Sequence, residues 1–357
     1  MKITHFAPFA PNACGLYEAA RDMVIADRRS GHEACLIDVG ITSKVNNKFE
    51  HAPGVIGVPD SRGGTEIITA NPEEVYNADI IIVHTGTPDN WIVQTQAPII
   101  WILHGRPLAC FRTEQFGSGN SYSLISQIAQ WPRVKAMVTF WPFHVQYWNA
   151  IIPADKLVCF PAPPIDETRF CEDGNNHDFK ELGGYWNIAI AESWREDIDI
   201  YEVSHGIIEL AKSQSGVKYH IYAMNTPLPQ CWDWLIKELR RLNVLGELWA
   251  RRPNIEEIYR SADILLSPQR IVTRTIGEAL SCGLPVVAAQ GCEYAPYTMR
   301  PDEPETVADA LKSAIRDLTN VPEAVHDKVK ETAKAFSLTE YSNQMNTLYK
   351  KLLDKNT

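Results

Sequence analysis

The chain has 357 residues, 45% apolar and 22% charged, with a formal charge of −10. That composition suits a soluble globular protein of about two domains and excludes disorder, collagen and coiled coil. Residues 1–165 carry 12 basic and 14 acidic side chains and residues 166–357 carry 22 and 30, which argues against a chain-wide grip on nucleic acid and leaves a local basic patch open.

The eight cysteines form no CxxC pair, and neither they nor the ten histidines fall at metal-ligand spacing. The expectation is reduced thiols in a cytoplasmic protein with no metal site. The opening MKITHFAPFAP is interrupted by His5, Pro8 and Pro11, so it does not read as a signal peptide. No apolar run approaches the ~18 residues of a membrane span.

Strands and helices alternate along the chain. Residues 3–7 form a short apolar run, residues 16–29 show helical spacing through Leu16, Ala19, Met23 and Ala26, and residues 34–39 form the next strand. Further buried strands are predicted at 80–83, 99–103, 136–140 and 157–160. Runs apolar on both faces and separated by helices predict parallel sheets. The Pro/Gly-rich stretch FPAPPIDETRFCEDGNNHDFKELGGY, from Phe160, interrupts the rhythm and reads as an interdomain linker. Alternation then resumes, with strands at 188–191, 219–223, 262–266 and 285–289 and helices near 198–212, 230–242 and 276–282. The expected fold is α/β, with two Rossmann-like doubly wound domains: residues 1–165, a linker at 166–186, and residues 187–336. Ser337 and Glu340 then form a capping box, and Leu338, Tyr341, Met345, Leu348 and Leu352 fall on one helical stripe.

The most informative segment is SPQRIVTRTIGEALSCGLPVVAA, from Ser267. A strand ends, a polar loop carries Arg270, Thr273, Arg274 and Thr275, and a helix begins near Ile276. The unpaired amides and positive dipole end of such a helix suit a diphosphate. Glu278 by itself reads equally as a dipole-compensating glutamate or as an acceptor for sugar hydroxyls. Asp197-Ile-Asp199 spells a metal motif, but at a helix start it reads as dipole charge.

The block EALSCGLPVVAA, from Glu278, resembles the E-A-x-x-x-G-x-P-V-V-A block of GT-B glycosyltransferases, specifically the large retaining family four. The resemblance extends through GHEA from Gly31, ADIIIVH ending at His84, WILHG around His104, VCFPAPPIDETRF from Val158 and EIYRSADILLSP from Glu257. It implies two domains facing a central cleft, with residues 337–357 returning as a helix to the first. It also implies transfer of a hexosyl or pentosyl group from a UDP- or GDP-sugar, with retention of configuration, without a metal and without a bound cofactor.

Carried over, Glu278 binds the ribose hydroxyls, catalytic His104 lies at the reaction centre, Arg195 holds the diphosphate, and the Gly15 loop approaches the phosphates. His104 alone would read as a core histidine. The family usually follows its arginine with a lysine; here Glu196 and Asp197 follow Arg195. The family's first glutamate would stand at Arg270, so sugar recognition departs from the pattern. Arg270 and Arg274 are expected to form a cationic cradle with the helix start.

Trp91, Trp101, Trp131, Trp141 and Trp148 crowd the first domain, and a Gly/Ser loop follows Phe111. His84, Arg106, Arg112 and Trp141 are the acceptor-side candidates, since aromatics with cations stack sugars and bases alike. The acceptor is left open among a glycan, a lipid-linked sugar and a hydroxymethylated base in DNA, the last implying a phage-encoded enzyme in host cytoplasm. A non-catalytic or epimerase-type nucleotide-sugar binder is the reading from another class.

Overall fold

A computed structural model describes residues 1–7, 15–38, 55–59, 65–69, 77–84, 96–104, 107, 110–111, 121–179, 184–192, 200–223, 232–249, 254–269 and 273–354. The chain forms two units, Met1–Asp166 with Phe336–Thr357, and Glu167–Ala335. The principal helices are α1 (Gly15–Arg29), α2 (Tyr122–Ala129), α3 (Ile200–Ser213), α4 (Asp233–Arg241), α5 (Ile255–Ser261), α6 (Arg274–Ser281), α7 (Pro304–Asn320), α8 (Pro322–Ala333) and α9 (Leu338–Asp354). Among the described residues, no helix is long and apolar enough to cross a membrane.

The first unit is built on β1 (Lys2–Ala7), β2 (Glu33–Asp38), β3 (Val55–Pro59), β4 (Thr65–Thr69), β5 (Ile80–His84), β6 (Ile99–Leu103), β7 (Val134–Phe140) and β8 (Leu157–Phe160). Their order is β4-β3-β2-β1-β5-β6-β7-β8. Every residue of β5 and β6 is buried, as a strand covered on both faces requires. The sheet is not wholly parallel, however, because β3 pairs antiparallel with both β2 and β4. The segment between β3 and β4, DSRGG from Asp60, is too short for a parallel crossover, which needs a dozen or more residues. Its paired glycines are a hairpin signal that the helix–strand rhythm overrode.

Helix α9 packs on α1 and buries Leu338, Tyr341, Met345, Leu348, Tyr349 and Leu352. Its start is capped as the sequence predicts: Ser337 Oγ accepts from the Glu340 amide at 3.1 Å.

The second unit orders β9 (Trp186–Glu192), β10 (Val217–Ala223), β11 (Leu245–Trp249), β12 (Ile264–Leu266), β13 (Val286–Ala289) and β14 (Tyr297–Met299) as β11-β10-β9-β12-β13-β14. All of its pairings are parallel. Its core joins Ile188, Ile190, Tyr219, Ile221 and Val287 to Leu235 of α4 and Leu311 of α7. The Pro/Gly-rich stretch is packed rather than solvated: Ile165 bridges to Ser337 within the first unit, while Phe170 and Phe179 are buried in the second.

Each sheet has a switch point where the strand order reverses, between β1 and β5 in one and between β9 and β12 in the other. Doubly wound sheets bind ligands beyond the carboxyl ends of the strands at such points.

Candidate functional site

At the first switch point, three histidines descend one face of the sheet. His5 on β1 lies opposite Ile82 of β5, and His84 stands two residues beyond Ile82; His84 lies opposite Ile102 of β6, and His104 stands two residues beyond Ile102. A step of two residues keeps the same face of a pleated strand, so parallel register alone places the three imidazoles in a diagonal file. Successive ring centroids are 5.2 and 5.1 Å apart. His5 Nδ1 meets His84 Nε2 at 2.9 Å, and His84 Nδ1 meets His104 Nε2 at 2.8 Å.

The far end of the file is anchored by a carboxylate. Asp27 of α1, 1% exposed, holds His5 Nε2 at 2.8 Å and accepts from the Tyr349 hydroxyl of α9 at 2.9 and 3.0 Å. His5 and His84 are wholly buried, whereas His104 is partly exposed. Burial, reinforced by the rings on either side, pushes the His84 imidazole well below the usual histidine range.

The second switch point converges on Glu192, the last residue of β9. Its Oε1 accepts from Ser267 Oγ at 2.9 Å, Thr273 Oγ1 at 3.0 Å and Thr275 Oγ1 at 2.8 Å, and its Oε2 accepts from Gln269 Nε2 at 2.7 Å. These donors flank residues 270–272 and lead into α6. Burial raises the Glu192 carboxyl above the ordinary glutamate range, and the four side-chain hydrogen bonds pull it back toward ionisation. The carboxylate thus ties the residues on either side of 270–272 to the edge of the sheet.

Helix α6 opens with Arg274, whose positive charge adds to the positive end of the helix dipole instead of opposing it. Arg274 Nε donates to Glu278 Oε1 at 2.7 Å, one turn on, and the guanidinium carbon lies 6.0 Å from the centre of the Phe170 ring. Glu278 is 6% exposed, and its Oε2 stands 3.5 Å from the Tyr259 hydroxyl. The helix closes at Gly283, where φ is +79° and the Gly283 and Leu284 amides return to Leu280 and Ala279. That left-handed turn is why glycine stands in the EALSCG block.

The structure therefore brings His84 and His104 together, Arg274 and Glu278 together, and Thr273 and Thr275 together on Glu192. Trp141 is buried, 6.3 Å from the Phe336 ring, with φ at 74°, a conformation rarely adopted by a bulky side chain. Gly15 is the exposed first residue of α1, and a Cβ there would meet no described atom within 4 Å. Arg106, Arg112, Arg195, Arg270, the Asp197/Asp199 pair and the body of the Gly/Ser loop lie outside the described residues. Sequence reasoning passed over Asp27, His5 and Glu192. Of these, Glu192 carried a usable signal: an acidic residue directly after the apolar run 188–191.

Residues 203–317, which contain β10 to β14 and the whole of α6, match the family described as Glycosyl transferases group 1. No curated protein matches the sequence. Among solved structures, Anabaena Alr3699/HepE in complex with UDP and glucose superposes with a TM-score of 0.69 at 14% identity, covering 98% of this chain and 100% of that one. Sucrose-phosphate synthase from Thermosynechococcus elongatus gives 0.72 at 13% identity, covering 99% of each chain. A glycosyltransferase from Rickettsia africae gives 0.65 at 16% identity, covering 99% and 98%. At these identities the likeness is one of fold, and that fold is GT-B.

Proposed function

We propose that this chain, a GT-B glycosyltransferase carrying a group 1 domain, moves a sugar from a nucleoside-diphosphate donor to an acceptor hydroxyl, with retention and without a metal. The observation that carries the reading is the α6 start. Residues 203–317 match the group 1 family, and within them an arginine-led helix begins directly after a loop pinned by Glu192. Cation, dipole and first-turn amides together favour a diphosphate there.

Glu278 has the chemistry to accept hydrogen bonds from the ribose hydroxyls, with Arg274 holding its other oxygen. Arg195, Arg270 and Arg274 are the candidates to stabilise charge on the departing diphosphate, and Gly15 to let the phosphates approach α1. His104 is assigned to the reacting centre, and His84, Arg106, Arg112 and Trp141 to the acceptor side. HepE in complex with UDP and glucose makes UDP-glucose the first donor to test. The cytoplasm is the proposed location, supported by the six described cysteines being free thiols.

The test is a thermal-shift screen of UDP- and GDP-sugars, followed by donor turnover and product mass on saccharides, lipid-linked glycans and hydroxymethylated DNA. NMR of the product's anomeric proton reads retention. A shift with one donor and a product heavier by one sugar are expected. No shift and no turnover with any donor would overturn the reading, and donor binding without turnover on any acceptor would leave a sugar-nucleotide binder in its place.

A further inference from the structure

Two helices of this protein cap their starts with a serine hydroxyl. Ser121 Oγ accepts from the Leu124 amide at the head of α2, and Ser337 Oγ accepts from the Glu340 amide at the head of α9. Helix α6 has a residue for the same task and does not use it. Thr273 stands at its N-cap with the extended backbone of a capping residue, φ −111° and ψ 163°, yet its side chain makes no capping bond. Its hydroxyl donates instead to Glu192 Oε1 at 3.0 Å, and it stands 2.6 Å from the Thr275 hydroxyl, which the same oxygen holds. An N-cap side chain serves the second or third amide of its helix. The third, that of Ile276, already turns back to the Thr273 carbonyl at 3.1 Å, so the amide left for a capping hydroxyl is that of Thr275.

Glu192 is an unusual residue for its place. It is 2% exposed and follows Ile188, Ala189, Ile190 and Ala191, which are wholly buried. An apolar side chain would continue that strand without the cost of burying a carboxyl group. What a carboxylate adds is about four acceptor positions on two oxygens, and four side-chain donors meet them here. Helix α6 has no acidic residue in its first turn and opens with Arg274, so the anion bonded to its N-cap comes from β9.

We infer that Glu192 is a positioning residue of the donor site: it holds the N-cap hydroxyl of α6 at the edge of the sheet, off the Thr275 amide, and so keeps the helix start for the diphosphate. This role rests on the proposed donor site, which the group 1 match of residues 203–317 supports independently of the hydroxyl. Released from Glu192, the hydroxyl turns onto the amide, as those of Ser121 and Ser337 do at their own helices. The diphosphate then meets a competitor that is part of the chain and acts at high effective concentration. Thr273 is the group through which Glu192 acts.

The experiment measures binding of UDP and GDP by titration calorimetry in the parent, in Glu192→Leu and in the double variant Glu192→Leu/Thr273→Val. Leucine removes every acceptor and releases the hydroxyl. Affinity should fall roughly fivefold to thirtyfold, the scale of one capping bond. Adding Thr273→Val removes the released hydroxyl at nearly constant shape and should bring affinity back to within about twofold of the parent. Where Glu192→Leu does not fold, Glu192→Gln and its Thr273→Val partner carry the same comparison, because an amide has one acceptor oxygen for four donors. A Glu192 of structural importance alone would show no recovery, since the second substitution only takes another side chain from the cluster. Parent-like affinity in the folded variant, or a loss that Thr273→Val leaves in place or deepens, would overturn the role of Glu192 and leave the donor site standing. A folded parent that binds neither nucleotide would overturn the donor site, and this role with it.

Discussion

At the switch point of the first unit the histidines stand in single file, whereas at that of the second the polar side chains converge on one carboxylate. Each imidazole in the file has one donor and one acceptor role, so no member can be lost without breaking the line. Glu192 instead receives three hydroxyls and an amide, and loss of any one leaves three. Doubly wound topology puts both at a switch point; the side chains make one a line of rings linked end to end and the other a knot around a single carboxylate.

The sharpest way to break this contrast is His104→Ala. Turnover should fall roughly 10²- to 10⁴-fold, equivalent to about 3–5 kcal/mol of transition-state stabilisation, while donor affinity by calorimetry stays close to the parent's. Retained turnover would make the file a structural feature alone. Glu192→Ala should act on the fold, leaving four donors, three of them buried, without their acceptor. Urea unfolding should report a loss of about 3–5 kcal/mol, and Ser267→Ala only about 1 kcal/mol. Equal losses from the two substitutions would refute convergence.

A third test uses acid. His220 in the second unit is pushed down to about 4 by burial, from an ordinary 6.5. The ring accepts from the Glu247 amide and faces Asn187 Oδ1, and it lies so close to Gly246 that a Cβ there would meet it at 2.5 Å. Between those pH values the unfolded chain binds a proton that the folded chain refuses, so stability falls as pH drops from about 6.5 to about 4. The loss from this group is about 3 kcal/mol at most, and denaturation of His220→Gln should show a flatter pH profile. His84 works in the same direction in the first unit. Glu278→Ala should weaken donor binding by roughly 1–3 kcal/mol in titration calorimetry. An unchanged affinity would remove Glu278 from the site.

Much of this architecture was legible in the sequence. The apolar runs at 80–83 and 99–103 became β5 and β6, and the glycine of EALSCG became the turn that closes α6. The hairpin of β3 and β4 was not legible from hydrophobic rhythm, because five-residue strands around a glycine pair carry little periodicity. His84 and His104 were visible one at a time, but their connection was not. It depends on the register of β1, β5 and β6 and on a carboxylate from α1, which are long-range facts that no local pattern encodes. The convergence on Glu192 was hidden for the same reason, although the residue itself carried a signal: its four donors come from 75 or more positions further on.

The Tyr349–Asp27 bond sets an order of events during synthesis. Asp27 leaves the ribosome early, but its hydroxyl partner arrives only after residues 167–335, the whole second unit, have been made. The two residues lie 322 positions apart, so at roughly 5–20 residues per second the interval is about 15–65 s. Throughout it, α1 lacks the apolar stripe of α9, and the carboxylate that anchors the histidines has not gained its second donor. The second unit can complete its core while the first is still waiting. The nascent chain therefore offers chaperones a defined window on α1, which closes when α9 docks.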